Sequence, residues 1–116
     1  MEIGEEKAEG ALVIAPRGRV DSVSSGELER HLVARLDAGE RRVVIDMAGV
    51  EYISSAGLRV LLLAAKRLKP PAGALVLCGL GPGVRTVVEL AGFMSLFAVE
   101  PARAQALARI EAKASS

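Results

Sequence analysis

Three carboxylates, Asp21, Asp46 and Glu51, stand near the ends of apolar segments, where open α/β sheets often gather ligand sites and where two acids could exchange protons with a substrate. No histidine, cysteine or second catalytic cluster joins them, so solvated or capping roles are expected. His31 follows Arg30 with no nucleophile or metal ligand in register and reads as a surface residue. Cys78 is the only thiol, and a zinc site built from one histidine and one cysteine would need a second chain. Gly79-Leu80-Gly81-Pro82-Gly83 follows an apolar segment and opens a helical one, as a dinucleotide loop does. The G-x-G-x-x-G pattern fails, because Val84 occupies the third glycine position and Pro82 removes an amide that could face phosphate. Glu100, at about the 20-residue offset of a ribose-binding acid, is a single match. A tight strand-to-helix turn is the expectation there, and neither an enzyme nor a bound cofactor or metal is expected.

The more informative chemistry is a hydroxyl pair. Between Asp46 and Leu62 the chain reads as a buried strand, a short connection, and then Ser54-Ser55 at the start of an amphipathic helix. Ser54 or Ser55 serves as the N-cap, its oxygen satisfying a free helix amide, a role worth about 1 kcal/mol. A phosphate on such a serine would sit against the positive end of the helix dipole, so modification need not melt the helix. The added charge would change the surface offered to a partner.

Short apolar segments must hold this pair in place. Leu12 to Ala15, Val43 to Met47, Leu75 to Cys78 and Leu96 to Val99 read as strands by length and β-branching. The second and third lack alternation, as when helices cover both faces of a sheet, which gives an α/β class. Ile3 to Ala8 adds a weakly patterned edge strand paired with the second of these. Ser24-Ser25-Gly26-Glu27 has capping-box spacing, with Val23 and Leu28 placed to staple across it, and Leu28, Leu32 and Leu36 share one face before Gly39. The next helix begins around Ser54 to Ala56, buries Leu58, Leu61, Leu62 and Ala65, and stops at Pro70-Pro71. A third starts at Pro82 and presents Val84, Val87, Val88 and Ala91. A fourth, alanine-rich helix runs from Pro101 to about Ala112.

Composition narrows the function further. The 116 residues form one domain, 1–116, with a core from about 3 to 112. A net charge of +1 and three aromatic rings, Tyr52, Phe93 and Phe97, supply neither the basic excess nor the stacking platform of a nucleic-acid binder. The lone thiol fits a reducing cytoplasm, the acidic amino terminus is unlike a secretory signal, and no apolar run reaches the ~20 residues of a membrane span. No direct nucleic-acid contact and no membrane insertion are expected.

Tyr52-Ile53-Ser54-Ser55-Ala56-Gly57-Leu58 resembles the signature of STAS domains, the fold of bacterial anti-sigma factor antagonists, in which a strand leads through an aromatic and an aliphatic residue to Asp-Ser-Ser/Thr-Gly-Leu. Gly18-Arg19-Val20-Asp21 looks like the family's Gly-x-Leu/Val-Asp turn, and the Pro82 helix ending at Ala91-Gly92 is similar to the segment before its last strand. The resemblance spans roughly residues 3 to 112 and implies a mixed sheet of four to five strands, in one layer, with about four helices packed on it. It also implies a non-catalytic, cytoplasmic partner switch. An anti-sigma factor serine kinase would bind the unmodified protein and phosphorylate Ser55, counted back from Gly57, with Ser54 as second choice, and a serine phosphatase would reverse the change. Asp21, Ser22, Ser54, Ser55, Ala56, Gly57 and Arg59 would form the partner-binding surface, Asp46 matches the polar strand residue before the signature, and Leu58 anchors the helix. Two positions depart from the pattern: Ser54 replaces the usual aspartate and Ala56 the second hydroxyl residue. The Ala56-Gly57 pair also resembles the STAS subunits of ABC-type lipid transporters, which gives the alternative function.

Overall fold

The computed structural model describes residues 1–115, with side chains through Glu111. Its sheet is built from β1 (Glu2–Ala8), β2 (Ala11–Val20), β3 (Arg42–Asp46), β4 (Val50–Ile53), β5 (Ala74–Cys78) and β6 (Ala98–Glu100). The helices are α1 (Ser25–Asp37), α2 (Ser55–Arg67), α3 (Pro82–Leu90) and α4 (Arg103–Ser115). The strand order is β1-β2-β3-β5-β6, with β4 pairing separately to β2. β1 is antiparallel to β2 and every other pairing is parallel. The mixed α/β architecture expected from the sequence is therefore present.

The apolar run of β3 shows why both faces are covered. Val43 and Ile45 enter a core with Leu28, Leu32 and Leu36 of α1, Leu58 and Leu61 of α2, and Val84 and Val88 of α3. Val44 faces the other way, into a smaller core with Val13, Val76 and Cys78 and with Ala106, Leu107 and Ile110 of α4. Successive strand residues point to opposite faces, so three helices on one side and one on the other demand continuous hydrophobicity. Each buried leucine contributes roughly 1.5–3 kcal/mol, enough to override local propensity.

Several boundaries differ from those read along the chain. The edge strand β1 pairs with β2, not with the Val43 strand, because Glu9 and Gly10, at φ 53° and 80°, make the two-residue turn that closes a tight hairpin. β2 continues past Ala15 through Pro16-Arg17-Gly18 to Val20. Parallel pairing to β3 ends at Ile14 and pairing to β4 begins at Gly18, so Pro16, which has no amide hydrogen, breaks neither ladder. The strand expected at Leu96 to Val99 starts only at Ala98, after a 3-10 turn at Met94–Leu96. Leu62 and Ala65 are half-buried rather than core, with Val60 and Ala64 buried in α2 instead, and Ala91 is exposed. The last helix begins at Arg103 rather than Pro101.

The expected capping box at α1 is absent. Ser24 has helical dihedrals and no side-chain cap bond, and Val23 is 86% exposed, so there is no staple. Asp21 organises the turn instead: its Oδ1 accepts the amides of Val23 and Ser24, each at 3.0 Å. The Ser24 hydroxyl donates to Arg19 O at 2.6 Å and accepts the Asp21 amide at 3.0 Å.

Candidate functional site

The serine pair is placed by β4, which lies where a short connection is expected from the sequence. Val50 and Ile53 are buried while Glu51 and Tyr52 are exposed, a four-residue pattern without the strand period of two. β4 runs parallel to the far end of β2 across a register shift at Gly18/Arg19, pairing Val20 with Ile53. The Ser54 amide then donates to Val20 O at 2.8 Å. Asp21 and Ser54 thus emerge side by side from neighbouring strand ends.

Ser54 is the N-cap of α2, extended at φ −92° and ψ 173°, and its Oγ accepts the Gly57 amide at 3.2 Å. Ser55 is the first helical residue and is exposed. The two adjacent hydroxyls therefore do different jobs: one is half-buried and occupied by the backbone, the other faces solvent. Gly57 is required by packing, since a Cβ there would lie 2.7 Å from Ile53 Cγ1, 2.8 Å from Val20 Cγ1 and 3.1 Å from Val20 O. That close approach seats the helix start on the β2–β4 pair. Leu58 is buried beneath it, Ala56 is half-buried, and Arg59 is exposed one turn along the Ser55 face.

The strand ends beside the serine pair carry charge. The Ser24 amide, followed by the Val23 amide, holds the Asp21 carboxyl below the usual carboxylate range, with Arg19 adding a smaller attraction. Asp21 is consequently ionised at neutral pH. Ser22 and Val23 are exposed beside it. The Arg19 guanidinium lies 4.4 Å from the Tyr52 ring centroid, a cation–π contact between paired residues of β2 and β4. Neither Arg19 nor Tyr52 carries a sequence signal for a site. Their juxtaposition follows only once β4 is known to pair with β2.

Asp46 lies elsewhere and has structural partners. Its Oδ1 accepts the Ala48 amide at 3.0 Å, and its Oδ2 meets Arg103 Nη2 at 3.0 Å, tying α4 to the end of β3. Burial, with Asp46 adding repulsion, pushes the Cys78 thiol up to about 12, so it stays protonated and unreactive at neutral pH. His31 bonds Glu5 at 2.6 Å between α1 and β1. Glu51 is exposed, and among the described residues no group of three His, Cys, Asp or Glu side chains is placed to hold a metal. The Gly79–Gly83 turn is a strand-to-helix connection with Gly81 as N-cap and Pro82 as the first helical residue.

The family model for the STAS domain matches residues 3–106. The chain belongs to the STAS domain family. It is 48% identical over 108 residues to BtrV of Bordetella bronchiseptica, assigned as an anti-sigma factor antagonist, with 93% of each chain covered. An anti-sigma factor antagonist from Mycobacterium paratuberculosis superposes with a TM-score of 0.87 at 26% identity, covering 95% of this chain and 93% of that one. The phosphorylated form of the Bacillus cell fate determinant SpoIIAA shares the fold, with a TM-score of 0.70 at 17% identity over 94% of this STAS domain and 99% of that chain. Among the described residues no helix is long and apolar enough to cross a membrane.

Proposed function

We propose that this protein is an anti-sigma factor antagonist that works by phosphorylation-controlled partner switching. Unmodified, it binds an anti-sigma factor serine kinase in the cytoplasm through Asp21, Ser22, Ser54, Ser55, Ala56 and Arg59, performing no catalysis itself; Gly57, expected in that surface, is buried and acts as the seat beneath it. The observation that carries this reading is the division of labour in the serine pair: Ser54 is held as the cap and Ser55 is exposed at the first position of α2. Phosphoryl transfer from ATP would replace the Ser55 hydroxyl hydrogen, releasing ADP and a proton. The free amides of the first turn and the helix dipole accommodate the new anion, so the domain stays folded. The interface does not accommodate it as easily. Modification adds roughly 1.5 to 2 negative charges beside an ionised Asp21, and desolvating them against a partner costs several kcal/mol. A serine phosphatase removes the phosphate and restores binding.

The test pairs two variants with the cognate kinase. Ser55→Ala should retain wild-type stability within about 0.5 kcal/mol and bind the kinase. Ser55→Asp should bind at least about tenfold more weakly by calorimetry, ~1.4 kcal/mol. Equal affinities, or phosphate mapped to a residue other than Ser55, would overturn the switch. A pull-down from host lysate that recovers an ABC ATPase instead of a histidine-kinase-like ATPase would favour a transporter subunit.

A further inference from the structure

A second feature lies at the other end of α2, eleven residues from Ser55 and about 16 Å along the helix axis at 1.5 Å per residue. There the helix end, the start of β5 and the segment 95–98 line a half-open hollow of about 420 Å³. That volume is within the roughly 300–1,000 Å³ typical of small-ligand sites. Its walls are apolar, formed by Leu62, Leu68, Leu75, Leu96 and Phe97 among others. Leu96, which lines it, is 57% exposed, one of few large hydrophobic side chains left open to solvent. Lys66 and Lys69 also line the cavity, and no acidic residue does.

Neither lysine is neutralised by an acidic partner. Arg67, next to Lys66, pairs with Asp37 at 2.8 Å, whereas Lys66 and Lys69 have no ion pair among the described residues. Complementing the helix dipole accounts for positive charge at this end, but not for a solvent-open apolar hollow beside it. Apolar walls and two ammonium groups lining the same hollow, one from the last turn of α2 and one from just past its C-cap, fit a ligand with a hydrocarbon body and one anionic head. We propose that this cavity binds a fatty carboxylate, its chain against Leu62, Leu75, Leu96 and Phe97 and its head between Lys66 and Lys69.

The site shares no residue with the Ser55 surface, so the two stand or fall separately. Sodium decanoate titrated into isotopically labelled protein below its micelle concentration should shift amide resonances of residues 62–75 and 95–98 saturably. The exposed double substitution Lys66→Glu with Lys69→Glu should raise the dissociation constant about tenfold or more while leaving the remaining spectrum in place. Leu96→Asp should weaken binding similarly. Decanol, with the same chain and no charge, should bind more weakly than decanoate. Absence of saturable shifts would overturn the proposal, as would equal binding of decanol and decanoate, or binding that is indifferent to charge reversal.

Discussion

Two helices leave parallel strands at the same end of the sheet, α2 after β4 and α3 after β5, and they begin with different chemistry. At α2 a serine caps the helix, a second serine is displayed, and the third helical residue is a glycine pressed against Val20 and Ile53. At α3 the cap is Gly81, without a side chain, the first helical residue is Pro82, without an amide hydrogen, and a Cβ on Gly83 would meet nothing within 4 Å. Equivalent positions in a parallel sheet thus supply a positive helix end twice, but only one carries an exposed hydroxyl above a tightly packed glycine. Topology offers the location; side chains decide whether it is a site.

Glycine substitutions should expose the largest contrast. Gly57→Ala forces a Cβ into Val20 and Ile53 and should destabilise the fold by about 1–3 kcal/mol in urea unfolding. Gly83→Ala, in open space, should instead gain up to ~1 kcal/mol from helix propensity. Matching midpoints for the two would remove the close approach as the reason for Gly57.

Cap exchange should give a smaller difference. Ser54→Ala leaves the Gly57 amide without its partner and should cost about 1 kcal/mol, while Gly81→Ser should gain about 0.3 kcal/mol at the other helix. If Ser54→Ala unfolds at the wild-type midpoint, its hydroxyl is not the cap.

The mildest test concerns the carboxylate beside the serines. Because Asp21 has its pKa lowered by folding, its contribution to stability is present above the ordinary value of about 3.9 and is lost as pH falls through the lower folded value. Wild-type protein should melt above Asp21→Asn at neutral pH, and the gap should narrow on acidification through that window. No gap at any pH would mean that the side-chain oxygen geometry, which asparagine retains, and not the charge, accounts for the turn.

Much of the fold was legible along the chain because long periodic segments carry their own signal. Leu28, Leu32 and Leu36, or Leu58 and Leu61, repeat at helical spacing, and the uniform hydrophobicity of Val43 to Ile45 announces a strand covered on both sides. β4 was not legible, since Val50-Glu51-Tyr52-Ile53 is short, does not alternate, and is extended by pairing with β2. The α1 entry misled for a related reason. Serine and glutamate at capping-box spacing lose to an aspartate three residues upstream whose carboxylate accepts two amides at once.

By itself the sequence determined the α/β class, the helices and the neighbourhood of Ser54 and Ser55, because periodicity, β-branching and helix stop signals act over a few adjacent residues. It left open which of the two hydroxyls faces outward. That depends on the residue at which α2 begins, and this is set by β4 lying against Val20 and by Gly57 closing on the strand pair, contacts between segments more than thirty residues apart. Only the tertiary structure assigns Ser54 to the backbone and Ser55 to solvent, and only it brings Arg19, Asp21 and Tyr52 to the same edge.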